Sequence, residues 1–349
     1  MYSPLSIGSC TARLPIVQGG MGVGVSLSGL AGAVAACGGV GTISGIHPGY
    51  RDPDFAADPV RANLRAIGSE LAKARQIAPD GVIGFNFMTV MNHYDDYVRE
   101  AIAQGADFIV SGAGLPTGLA KLAAGSRTAI LPIVSSARAL RLIVKRWLQV
   151  DRLPDAVVVE GPLAGGHLGF AYDDVINGTE KPLEACLTEV LDYVRELENT
   201  HGVQIPVIAG GGVRTHADVT RLMGLGASGV QVGTRFVTTV ECDAADSFKN
   251  AYVAAKKEDI HIIKSPVGLA ARAIDGPLLE RVAREGRIPV AHCYGCMGHC
   301  KPSETKYCIS QALIDSVSGR EGLVFCGAGA SDAHEIQTVR EVINDLLGQ

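Results

Sequence analysis

The chain has 349 residues, 47% hydrophobic and 19% charged, and carries a formal net charge of −5. That length supports one large core, or a core with a small appendage, and an acidic balance without any basic block excludes nucleic acid as the main partner. No apolar run approaches the roughly 18 residues of a membrane span, and no charged stretch followed by an apolar one opens the chain. A cytoplasmic protein acting on a small molecule, with no membrane partner, is expected; homo-oligomerisation stays open.

Candidate strands follow one another at Leu14–Gln18, Gly41–Ser44, Val82–Phe87, Phe108–Ser111, Ala129–Val134, Ala156–Glu160, Ile205–Ala209 and Gly229–Val232. Amphipathic stretches lie between them, among them Arg61–Gln76, Tyr94–Gln104, Ala137–Leu148, Leu183–Thr200 and Thr215–Leu225. Alternation of this kind implies parallel βαβ units, and eight units point to an α/β fold of the closed (β/α)8 type rather than an open doubly wound sheet. Two long loops, Ile46–Pro59 and Ala171–Pro182, follow the second and sixth strands, where lids over a barrel mouth belong. The expected division is a barrel core over 1–247, a flap or subdomain over 248–320, and a C-terminal segment over 321–349. The last ends in a helix that starts near Ser331 or Asp332, runs to Leu347 and packs back on the barrel.

The ends of the strands carry the chemistry. V-I-A-G-G-G at Val207–Gly212 and G-V-Q-V-G-T at Gly229–Thr234 are apolar runs that stop in glycines, each followed by helical sequence. Backbone N–H groups at a helix mouth favour an anion, and two such ends on the last two strands describe the phosphate cradle of a barrel. The first strand ends in Gln18-Gly19-Gly20-Met21-Gly22, where missing side chains let a flat ring lie on the backbone. Asn86, polar in an apolar strand, is either a satisfied core amide or a contact to a ligand edge. After the sixth strand, Glu160 precedes A-G-G-H-L-G at Ala164–Gly169. His167, flanked by glycines and with an ordinary pKa near 6.5, suits proton transfer at neutral pH. Glu160 either orients the loop or meets His167 directly.

P-I-V-Q-G-G-M-G, A-G-G-H-L-G, I-A-G-G-G-V, G-V-Q-V-G-T-R-F and S-P-V-G-L-A-A-R-A-I occur in this order, the last spanning Ser265–Ile274. Together they resemble the nitronate monooxygenase (2-nitropropane dioxygenase) family, which also contains flavin-dependent enoyl-ACP reductases. The resemblance covers the chain to about residue 275 and implies a TIM barrel with non-covalent FMN. By position, Gly210, Gly211, Gly212, Gly233 and Thr234 would hold the phosphate, and Gly20, Met21 and Asn86 would lie near the ring. Gly22, Glu160 and Gly165 would complete the cofactor set, and His167 would be the active-site histidine. Leu168 stands where the better-studied members carry a basic residue, a form closer to the enoyl reductases. The tail beyond residue 290 resembles a branch found largely in anaerobes, so oxygen use is not implied.

The expected reaction is NAD(P)H-dependent reduction of an activated C=C bond, in an enoyl thioester or a conjugated enone such as a flavone-like compound. Oxidation of alkyl nitronates with FMN and O2 is the alternative, and a non-redox phosphate-binding barrel is a third reading. Nine cysteines remain to be placed. Cys10, Cys37, Cys186, Cys242 and Cys326 are expected as small buried apolar residues. Cys293-x2-Cys296-x3-Cys300-x7-Cys308, with His292 and His299 beside it, has spacing compatible with zinc or an iron–sulfur cluster.

Overall fold

In the computed structural model, which describes residues 2–349, eight parallel strands close into a barrel. They are β1 Ile16–Gln18, β2 Val40–Ser44, β3 Val82–Met88, β4 Phe108–Gly112, β5 Ala129–Val134, β6 Val157–Glu160, β7 Val207–Gly210 and β8 Gly229–Val232. Each pairs with its sequence neighbour and β8 pairs with β1, so no edge is left. The chain is a (β/α)8 barrel with helices between the strands. All eight expected strands are present, with ends displaced by two residues at most.

Strand residues alternate between two apolar layers because side chains in a strand point to opposite faces. Val157, Val159, Val207 and Ala209 face outward into the layer beneath the helices. Val158, Ile208, Val110 and Leu131 turn inward and fill the barrel together with Leu5, Ile7 and Ala12. Those last three come from a short antiparallel hairpin, Leu5–Ile7 with Cys10–Ala12, that precedes β1. Gly8 makes its turn at a φ of +56°, and a side chain there would also press on Ala129.

The terminal helix begins at Val339, not near Ser331. Thr338 and Glu341 form a capping box that fixes this start. Ahead of it, only Ala330–Asp332 makes a single 3-10 turn, and Gln337 is drawn out by backbone bonds to Thr238 and Val240. Tertiary pairing therefore overrides local helical preference. The helix packs against the helices Ser28–Ala36 and His216–Gly224.

Between β8 and this helix, the chain builds a small antiparallel sheet. Ala270–Ile274 lies at its centre, flanked on one side by Ile260–Lys264. Its other side takes Val324–Phe325 and also the pair Gly166–His167 from the β6 loop. Residues more than a hundred positions from β6 thereby reach the C-terminal face of the barrel. Among the described residues, no helix is long and apolar enough to cross a membrane.

Candidate active site at the barrel mouth

A cavity of about 250 Å³ opens at the C-terminal ends of the strands. Its wall includes Gly20, Met21, Gly22, Asn86, Glu160, Gly165, His167, Gly211, Gly212, Gly233 and Thr234, so nearly all the expected site residues converge there. Gly210 does not. It is buried in β7, where a side chain would press against Gln231, so its part is to let two strands approach.

The β1 end is held from below. Gln18 is fully buried, and its Oε1 accepts from the Thr42 N–H at 2.9 Å. Asn86 Nδ2 donates to the Gly20 carbonyl at 3.1 Å, so this amide supports the glycine loop while it lines the cavity. A Cβ on Gly20 would lie 2.4 Å from that of Asn86.

At the β7 end, Gly211 sits at a φ of +93°, and a Cβ there would lie 2.7 Å from the Gly161 oxygen. Only glycine satisfies both demands. Gly233, which precedes the short helix Thr234–Val237, differs: an added Cβ would meet only Met21 Sδ, at 3.4 Å.

His167 Nε2 shares a 2.8 Å hydrogen bond with Ser265 Oγ, and its ring packs edge-on to Phe325, 5.1 Å between centroids. Burial lowers its pKa to about 4, so the ring is neutral at pH 7 and the expected value near 6.5 is corrected downward. The following residue, Leu168, is buried against Ala164, Val175 and Ala270. A basic side chain at that position would enter a core. Among the described residues, no hydrogen bond joins Glu160 to His167.

Burial pushes the Glu160 carboxyl up to about 7. An unfolded glutamate loses its proton near 4.5 while the folded one keeps it, so the unliganded protein loses stability as pH rises from about 4.5 to about 7. The full loss is on the order of 3 kcal/mol. Melting curves of Glu160→Gln and wild type should therefore diverge across that window, the variant gaining as pH rises. Parallel curves would show an ordinary carboxyl.

Ser265, Arg272, Tyr252 and Phe325 also build the site, and no strand-end motif marks them in the sequence. The buried Arg272 guanidinium donates to the carbonyls of Ala164 and Pro162, the latter at 3.1 Å, and so braces the loop that carries His167. Tyr252 Oη donates to the Phe325 carbonyl at 2.5 Å. An arginine inside the apolar run A-A-R-A-I was the one visible signal.

Cys186, Cys242 and Cys326 are buried as expected, and Cys326 lines the mouth; Cys10 and Cys37 are only half-buried. Cys293, Cys296, Cys300 and Cys308 line a second, smaller cavity. His292 and His299 are exposed and absent from its wall. Among the described residues, no three His, Cys, Asp or Glu side chains close on a single metal position.

Comparison with known proteins agrees with this geometry. A probable nitronate monooxygenase of Staphylococcus aureus (strain Newman) is 34% identical over 136 residues, 39% of this chain and 36% of that protein. The counterpart in strain JH9 is 33% identical over the same lengths. The match thus spans about a third of the curated relatives. FabK from Thermotoga maritima superposes with a TM-score of 0.71 at 25% identity, covering 97% of this chain and 92% of that one. A nitroalkane oxidase from Streptomyces ansochromogenes shares the fold, with a TM-score of 0.70 at 19% identity over 97% and 95% of the two chains. The family model for nitronate monooxygenase matches residues 3–349, and the chain belongs to that family.

Proposed function

We propose that this chain is an FMN-dependent oxidoreductase that reduces an activated C=C bond with electrons from NAD(P)H. The residues present fit the cofactor. Gly211 and Gly212, at φ +93° and +104°, bring backbone to the cavity wall beside Thr234, and at Gly233 a side chain would make only an ordinary contact with Met21. Gly20 and Gly22, where side chains would strike Asn86, Ser44 and Ile46, let the loop Gly19–Gly22 present backbone and Met21 to the same cavity, where a ring could lie. FMN held there would supply the hydride-transfer chemistry that links NAD(P)H oxidation to reduction of the C=C bond.

The observation that carries the substrate class is the lack of charge at the reacting end. His167 is neutral, and Ile46, Met88, Ile133, Leu313 and Phe325 supply an apolar wall. Among the described residues lining the cavity, the only fixed cation is Arg214, two positions beyond Gly212 and paired with Asp332 at 2.5 Å. A neutral conjugated enone or enoyl thioester suits such a wall better than an anionic nitronate, which gains from a fixed positive charge. With Nε2 engaged by Ser265, the imidazole keeps Nδ1 to hold the water that gives the α-carbon its proton.

The test is anaerobic: NADH or NADPH should bleach the flavin band, and a conjugated enone should restore it. No bleaching by either nucleotide sinks the proposal. Family membership favours a second reading, oxidation of alkyl nitronates with O2. Steady oxygen uptake with propyl nitronate, without NAD(P)H consumption, selects that reading instead.

Gly233→Ala separates cofactor binding from folding. The added methyl meets nothing in the protein closer than Met21 Sδ, so the melting temperature of the unliganded protein should be unchanged. FMN affinity should fall by about tenfold or more, read by fluorescence titration. Unchanged affinity would move the phosphate elsewhere.

A further inference from the structure

We propose that Cys293, Cys296, Cys300 and Cys308 hold a metal centre of the thiolate class, iron–sulfur or zinc, that pins the C-terminal flap to the barrel mouth. All four thiols line one small cavity whose remaining wall is largely apolar, including Pro266, Val267, Val290 and Ile309. Packing alone does not gather four thiols from a stretch of sixteen residues around one space.

A second observation points to an occupant. Tyr307 lines the same cavity and is 4% exposed, yet its hydroxyl has no hydrogen-bond partner among the described residues. Buried hydroxyls are ordinarily satisfied, and a metal-bound thiolate or sulfide is an acceptor of the kind this donor lacks. The backbone tells the same story. From Gly286 to Cys308 the chain forms no helix or strand, a long irregular segment to order without a staple. Among the described residues the sulfurs do not yet close on one metal position, so binding would draw them inward. A cluster, which holds its four thiolates farther apart than a single zinc with bonds of about 2.3 Å, asks for the smaller movement.

The location ties this centre to the mouth by three routes. Cys308 caps the helix Ile309–Val317, whose Leu313 and Val317 line the catalytic cavity. Ser310 on that helix bonds His47 Nε2 at 2.8 Å, and His47 follows Ile46 of the cavity wall. Ser265 bonds His167, while the next two residues, Pro266 and Val267, wall the cysteine cavity. On the barrel side, the Asn92 backbone N–H donates to the Cys296 carbonyl at 3.0 Å and its Nδ2 to the Gly295 carbonyl at 2.7 Å.

The experiment reads metal, not turnover, so it stands apart from the reaction proposed above. Full-length protein purified without oxygen is assayed for iron, zinc and acid-labile sulfide. About four iron and four sulfide per chain, or about one zinc, supports the centre and identifies its class. Cys296→Ser and Cys300→Ser should lose that metal, whereas Cys10→Ser should keep it. Iron and zinc both well below one equivalent in the wild-type protein overturn the proposal, as does metal retained in full by both serine variants. Should the variants aggregate, the wild-type assay still decides, joined by thiol titration of the native protein: four thiols that react only after metal extraction support the centre, and four that react at once overturn it.

Discussion

His167→Ala should lower turnover by about 10²- to 10⁴-fold while FMN stays bound. The ring is carried on a two-residue strand whose backbone pairs with Ala271 and Arg272, and Leu168 N–H donates to the Ala270 carbonyl at 2.9 Å. Removing the imidazole therefore leaves the loop in place and takes away only the group bonded to Ser265. Ser265→Ala should give a smaller loss, because the ring remains but is no longer oriented through Nε2. The pH profile adds a separate constraint. With its pKa lowered to about 4, His167 stays neutral from pH 5 upward, so wild-type turnover should show no limb near 6.5 that vanishes in the alanine variant. Such a limb would mean a charged imidazole and a different proton path. Full activity in His167→Ala would remove the residue from the reaction altogether.

The barrel was legible because its strands are buried on both faces. Val157-Val158-Val159 needs no alternation to read as a parallel strand, and glycine or a lone polar residue marks most ends. Gly20, Met21, Glu160, Gly211 and Gly233 could be read for the same reason: they sit where apolar runs stop. The floor hairpin could not be read, since three-residue strands are shorter than any periodic window. Ser265 and Arg272 failed for another reason. They meet the His167 loop across 98 and 108 residues of chain, from a sheet with no βα rhythm. Their burial is written in the tertiary structure, and only the oddity of an arginine among alanines hints at it. The pKa of His167 belongs to the same class, because desolvation depends on what covers the ring.

Arg272 is where this long-range dependence has the largest consequence for stability. The residue is 7% exposed, and burial lowers the pKa of its guanidinium from the usual arginine value. Among the described residues no carboxylate forms an ion pair with it; its forked donors are spent on the Ala164 and Pro162 carbonyls. Replacing it with alanine leaves two carbonyls short of a donor and a void beneath the His167 loop. The expected loss is about 3 kcal/mol or more, seen as an earlier denaturant midpoint. Arg272→Lys refines the point. An ammonium is a single point charge and cannot span both carbonyls as the fork does, so the variant should fold yet hold the loop in a broader range of positions. Its turnover should fall by about tenfold or more with FMN affinity nearly unchanged, because the proposed phosphate cradle lies on β7 and β8 rather than on this loop. Equal stability in wild type and Arg272→Ala would show that the loop is braced by the sheet pairing of Gly166 and His167 alone.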